Sequence, residues 1–150
     1  VNDALLRLLI GQALQRRDDA AADAAGARRA RDAAADTLST LTGYRDASLA
    51  RGPVRSGAPV GVAQLTTAAA FDARMIAAIR QQHRTHAERD LEAAARDTAL
   101  LERQRRLKAL ETLERNRTRS AVRIESRREQ RALDEFATNL VARRRPGKER

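Results

Sequence analysis

Apolar and small residues recur along the first third of the chain at alternating steps of three and four. Positions 6, 10, 13, 17, 20, 24, 27, 31, 34, 38, 41, 45 and 48 are Leu, Ile, Ala, Arg, Ala, Ala, Ala, Arg, Ala, Leu, Leu, Arg and Ser. Nine of these thirteen are apolar, which is the spacing of a stripe down one side of a helix and of a coiled-coil seam. Arg17, Arg31 and Arg45 interrupt the stripe, yet their aliphatic stems can cover it while the guanidinium heads reach water. A second stretch starts with Phe71, Met75, Ala78 and Ile79 and continues through Leu100, Leu101, Leu107, Leu110 and Leu113. It ends with Leu133, Phe136, Ala137 and Leu140, and its repeat slips between the blocks. Residues 51–61 between the two stretches hold two of the three prolines and three of the seven glycines. That density of helix breakers marks a turn or loop.

The pattern predicts an all-α fold of two long helices in an antiparallel coiled-coil hairpin. Helix one covers about 3–50, the loop about 51–61, helix two about 62–144, and a tail headed by Pro146 covers 145–150, all in a single coiled-coil domain. Asn2 is placed to cap helix one by accepting an early amide hydrogen bond. Gly11, Gly26 and Gly43 fall inside helix one, as bends or as tolerated positions, each costing about 1 kcal/mol relative to Ala. On helix two, Glu92 and Arg96, Glu102 and Arg106, and Glu111 and Arg115 stand in the favourable acid-before-base order. A short loop returns the chain antiparallel. Pairing outward from it sets residue 50 against 62 and residue 3 against about 109, so that helix two is left unpaired from about 110 onward.

Composition sharpens this picture. Leu, Ile, Val and Phe make up 29 of 150 residues, and 32 of the 63 nominally hydrophobic residues are Ala. Alanine favours helix but fills little core, so the chain is suited to long helices rather than to a compact globule. The absence of cysteine excludes a disulfide frame, a zinc ribbon and a thiol nucleophile. Leu8-Leu9-Ile10 is far too short to span a bilayer, and no secretory segment is recognisable, which points to an intracellular protein.

Charge is distributed unevenly. The chain carries 30 basic and 20 acidic residues, for a net +10. Residues 1–60 hold nine basic and seven acidic groups, whereas residues 101–150 hold sixteen and eight. An unpaired basic helix should seek an acidic partner. Its apolar side chains, Leu110, Leu113, Ile124, Leu133, Phe136 and Leu140, should pack against that partner. Leu133, Phe136 and Leu140 share one face, with Arg127, Arg128, Arg131, Arg143, Arg144 and Arg145 around it as partners for acidic groups.

No catalytic constellation emerges. His83 and His86 are three apart, but the nearby Glu88 and Asp90 complete no metal spacing, and solvated surface histidines explain them. The carboxylates are evenly laced with arginine, and no phosphate-cradling loop, nucleophile elbow or HExxH occurs. The expectation is a non-enzymatic protein with no cofactor and no metal. The competing reading is a basic coiled-coil nucleic-acid-binding protein, since an arginine-rich helix attracts phosphate. Three aromatic residues make no base-stacking platform, and interleaved acids oppose groove binding. A membrane-surface helix lacks the continuous bulky face it needs.

Specific blocks resemble a known family. Leu107-Lys108-Ala109-Leu110-Glu111-Thr112-Leu113-Glu114-Arg115 leads through Glu125, Arg128, Glu129, Gln130 and Arg131 into Leu133-Asp134-Glu135-Phe136-Ala137. Leu38, Leu41, Tyr44 and Arg45 form an earlier block, and Phe71, Met75, Ala78, Ile79 and Gln82 another. Their order and spacing resemble the flagellar FliJ family over essentially the whole chain. The resemblance implies a cytoplasmic component of the bacterial flagellar type III export apparatus, held peripherally at the inner membrane by its partners. The implied partners are the export ATPase ring, the cytoplasmic domain of the large export-gate membrane protein, and chaperones of late substrates, with no specific nucleic acid. It places gate-contact candidates on Thr37, Leu41, Tyr44, Ser48, Phe71, Met75, Ala78 and Gln82. Ser48 stands where the family commonly has a second aromatic, Thr37 where Gln can occur, and Met75 in place of Leu. Phe71, Met75 and Ile79 have a second reading, as residues that seal the seam opposite Leu38 and Leu41. The ATPase-ring candidates are Leu133, Phe136 and Leu140 with the six arginines named above.

Overall fold

A computed structural model describes residues 2–52 and 59–144. Two α-helices account for nearly all of them: α1 (Asp3–Arg51) and α2 (Val62–Arg144). The helices start where local chemistry directs. Asn2 accepts the Ala4 amide through Oδ1 at 3.3 Å, capping α1 as its side chain predicts. At the start of α2, Gln64 reaches back to accept the Gly61 amide at 3.2 Å, one half of a capping box. Arg51 closes α1 with positive charge in its last turn, where the helix dipole favours it. Residues 53–58 and 145–150, which hold the predicted turn and tail, lie outside the described residues.

The predicted stripe on α1 is the face that packs. Of its thirteen positions, twelve are buried or half-buried and only Ser48 is exposed. Gly11, Gly26 and Gly43 do not interrupt α1. On α2 the apparent slippage resolves into one heptad register. Asp72, Met75, Ile79, Gln82, His86, Ala93, Leu100, Leu107, Leu110, Glu114 and Arg117 are buried or half-buried at steps that fit it. The remaining positions of that register, 89, 96 and 103, are exposed arginines, whose long stems let the charge swing out. His86 therefore sits at a seam position, while His83 is exposed.

The chain divides into two compact units. The first combines Val1–Ala13 with Arg105–Arg150, the second is Leu14–Gln104. In the second unit the helices run antiparallel and are cross-linked by polar groups. Arg45 pairs with Asp72 at 2.8 Å, Arg28 with Asp97 at 2.6 Å and Arg96 with Asp23 at 3.8 Å. Gln82 donates through Nε2 to the Ala34 carbonyl at 2.9 Å. The apolar core between them is alanine: Ala24, with no exposed surface, together with Ala34 and Ala93. Among the arginines of the stripe, Arg17 and Arg31 turn to the adjacent Asp18 and Asp32, and Arg45 crosses to α2.

In the first unit the start of α1 packs antiparallel to the middle of α2. Leu6, Ala13 and Leu107 are buried, and Arg117 pairs with Asp3 at 3.4 Å. Asp3 therefore stands opposite 117 rather than about 109, and helix two is covered through 117 rather than losing its partner at about 110. Leu110 belongs to the packed face, whereas Leu113 is exposed. In the second unit, Arg45 faces Asp72 instead of a residue near 67. Helix α2 does not fold back from its first residue, and positions 62–67 are all exposed. The surface pairs also differ from expectation. Glu92 joins Arg89 at 2.8 Å, Arg96 is drawn across to Asp23, and Arg115 donates to the Glu111 carbonyl rather than its carboxylate. Both partners of the crossing pair stay more than half exposed, so it is a solvated contact that adds little to stability.

Three substitutions test the packing of α1, one in the alanine seam and two on its open side. Ala24→Leu has no space to enter and should lower the unfolding free energy by about 1–3 kcal/mol. A Cβ added at Gly11 or Gly43 meets nothing within 4 Å, so Gly11→Ala and Gly43→Ala should each add about 0.5–1 kcal/mol. Urea unfolding followed by circular dichroism measures both directions.

Candidate functional site

The gate-contact candidates all lie in the second unit, and the structure sorts them into two sets. Leu41, Met75, Ala78 and Gln82 are half-buried between the helices, and Gln82 spends its amide on Ala34. Thr37, Tyr44, Ser48 and Phe71 are exposed, with Thr37 donating to the Ala33 carbonyl one turn back. Tyr44 is 68% exposed. The two readings of the second block are thereby separated: Met75 and Ile79 are seam residues, while Phe71 turns its ring outward. Ser48 and Phe71 line one shallow hollow with Ala63, Gln64, Thr67 and Ala68.

Next to these residues in sequence stands the half-buried Arg45 and Asp72 pair. Its hydrogen bond, opposed by desolvation, holds the Arg45 guanidinium above its ordinary pKa. Nothing in the spacing of either helix singled out this pair, although Arg45 sits on the predicted stripe. Its consequence is geometric, since fixing 45 against 72 also fixes 44 relative to 71. No cluster of three or more His, Asp or Glu among the described residues is arranged to hold a metal.

The ring-contact candidates all lie in the first unit. From 118 to 143 every residue of α2 is exposed, and Phe136 is 64% exposed. Leu133, Phe136 and Leu140 do share a face, widened by Ala137 and Val141 at helical spacing. Arg143, one heptad from Phe136, borders that face. Arg131 does not: two residues from Leu133 on an unbroken helix is more than half a turn, which places it on the far side. Arg127 falls nine residues before Phe136 and six before Leu133, also away from the stripe. Arg128 stands between the two sides and is paired with Glu125 at 3.6 Å. The expected ring of arginines around an apolar stripe is instead a helix with an apolar side and a basic side. Arg144 ends α2, and Arg145 lies outside the described residues.

Three exposed leucines at the start of α1, Leu5, Leu8 and Leu9, were not foreseen as surface. Their signal was available, because they fall off the 6, 10, 13 line. The first unit holds sixteen basic and eight acidic residues and the second fourteen and twelve. Exposed apolar surface and excess positive charge are thus combined in one unit.

Two packed helices with solvent-facing apolar stripes present surfaces on which other proteins can dock. The sequence profile of the flagellar FliJ protein family matches residues 3–146. The chain belongs to that family, and so takes part in flagellar type III protein export as a non-enzymatic component. A comparison with individual curated proteins gave no match. Among the described residues no helix is long and apolar enough to cross a membrane.

Two stability measurements check the sorting of these residues. Phe136→Ala should leave the unfolding free energy within about 0.5 kcal/mol, while Leu107→Ala, at a site 6% exposed, should cost about 2–5 kcal/mol. Asp72→Asn should lower the melting temperature, and the exchanged pair Arg45→Asp with Asp72→Arg should recover part of the loss. Equal melting temperatures for Asp72→Asn and wild type would show that the pair does not hold the helices.

Proposed function

We propose that this chain is the stalk and escort component that couples the flagellar export ATPase ring to the export gate. The far part of α2 enters the ATPase ring, and the Tyr44, Ser48 and Phe71 region contacts the cytoplasmic domain of the large export-gate membrane protein. Chaperones of late substrates are its further partners. The protein acts as one coiled-coil domain in the cytoplasm and is peripheral to the inner membrane through those partners. Nucleotide-driven changes in the ring are transmitted through a helix stiff enough to carry them.

The observation that carries the reading is the solvent-facing stripe of Leu133, Phe136 and Leu140 on a helix covered only as far as 117. Such side chains are stable in water only at a local cost, and a partner that buries them recovers it. Family membership supplies the export setting. At the gate-contact region, Leu41, Met75, Ala78 and Gln82 act by holding the two helices together, while Thr37, Tyr44, Ser48 and Phe71 offer surface. With Ser48 in place of an aromatic, Tyr44 and Phe71 are the anchors left there.

Titration of the purified export ATPase with full-length variants tests the reading. Phe136→Ala should weaken binding by an anchor-sized amount, about 1–3 kcal/mol. Reversing Arg143, Arg144 and Arg145 should mainly slow association and change its salt dependence. Recovery of nuclease-sensitive nucleic acid at moderate salt, with no ATPase bound, would overturn the assignment in favour of the nucleic-acid reading.

A further inference from the structure

The charged residues of α2 interleave in sequence but separate on the helix. In the heptad register fixed by the covered positions Leu107, Leu110, Glu114 and Arg117, ten positions from 105 to 126 lie on the side away from the seam. Arg105, Lys108, Arg115, Arg119 and Arg123 occupy five of them, and none of the ten is acidic. The three glutamates of this stretch lie elsewhere, Glu114 on the seam and Glu111 and Glu125 at its edge. All ten positions are exposed, and among the described residues none of the five basic groups forms an ion pair. Arg115 donates to the Glu111 carbonyl and to the Thr112 hydroxyl. The strip runs about 27 Å from Arg105 to Arg123. From 87 to 102 the same face of α2 carries two glutamates and no basic residue, so the strip is not a property of the whole helix. A longer cover on the seam would leave it open.

We propose that this strip lies against an anionic phospholipid surface. Arg115, Arg119 and Arg123 stand at steps of four, where like charges repel along a helix, and a dense field of phosphates relieves that repulsion. Polyanions of several classes attract such a strip, and two observations select lipid. No aromatic side chain stands on the strip to stack on a base. The helix line through Thr112, Arg119 and Ser126 runs on at steps of seven to Leu133 and Leu140, which are 68% and 46% exposed. The acyl boundary of a bilayer accepts those leucines, whereas a phosphate backbone offers them nothing. A helix lying on a flat surface brings the basic heads and the leucines to it together.

Attachment of this kind is electrostatic first, so it does not need the continuous bulky face of an inserted helix. The five basic residues of the strip are not among the ring-contact candidates. Leu133 and Leu140 are shared with them, so that stripe serves the lipid surface or the ATPase but not both at once. Peripheral association with the inner membrane then has a contribution from this chain itself, beside that of its partners. The inference goes beyond the stalk reading and does not require it.

The test is co-sedimentation of the full-length protein with vesicles of phosphatidylcholine containing roughly one-third phosphatidylglycerol, and with vesicles of phosphatidylcholine alone. Saturable binding to the first, weakening as salt rises, and none to the second is expected. The triple variant Arg115→Gln, Arg119→Gln, Arg123→Gln should bind at least about tenfold more weakly, with unchanged circular dichroism. The triple variant Arg74→Gln, Arg80→Gln, Arg84→Gln removes the same charge from exposed positions of the second unit and should change binding less than about twofold. Leu133→Ser should weaken it by about threefold or more. The proposal is overturned if binding does not require phosphatidylglycerol or does not occur, if the two triple variants lose it alike, or if Leu133→Ser binds as wild type does. Duplex DNA that binds as tightly as the vesicles, and is lost with the Arg115, Arg119 and Arg123 variant, would identify nucleic acid as the occupant and also overturn it.

Discussion

Close approach of two alanine-lined helix faces is the constraint on which this structure depends. Ala24, Ala34 and Ala93 are buried, and such a face buries little area per turn and offers no large knobs to choose one register over another. Polar cross-links supply that choice. The Arg45 and Asp72 pair, the Arg28 and Asp97 pair and the Gln82 bond to the Ala34 carbonyl are each satisfied in one alignment of the second unit. Half-exposed ion pairs add little to stability, so their importance here is positional.

Register in turn decides which surfaces remain open. In the second unit, setting Arg45 against Asp72 leaves the first turns of α2 uncovered and forms the hollow beside Ser48 and Phe71. In the first unit, setting Asp3 against Arg117 extends the cover on α2 by about two turns beyond a symmetric return. The exposed apolar residues are therefore consequences of alignment as much as of composition.

The division of charge gives these surfaces different characters. The second unit is nearly balanced, and many of its ion pairs are internal. The first carries most of the net positive charge of the chain and most of its unpaired arginine-rich helix. Long-range attraction to acidic partners thus acts mainly on one unit, while close packing of aromatic and aliphatic side chains is available in both. Steering and anchoring are separate physical tasks, and the chain assigns them to different residues.

Much of this was legible in the amino-acid order alone. Helix one and its packed face followed from the three-four spacing of positions 6 to 45, because periodicity and alanine content act locally. Asn2 was recognisable as a cap, and the FliJ family from ordered blocks spread over the chain. The single heptad register of α2 was hidden, since arginines at 89, 96 and 103 look polar in sequence but can hold seam positions with their heads in solvent. Alignment of one helix on the other was not legible, because it rests on pairs such as Arg45 with Asp72 that are 27 residues apart and have many rivals of equal charge. The sorting of Met75 and Gln82 from Tyr44 and Phe71 follows from that alignment. Local order determined which faces are apolar or basic, and only the packing of two helices decided which of those faces meet each other and which meet water.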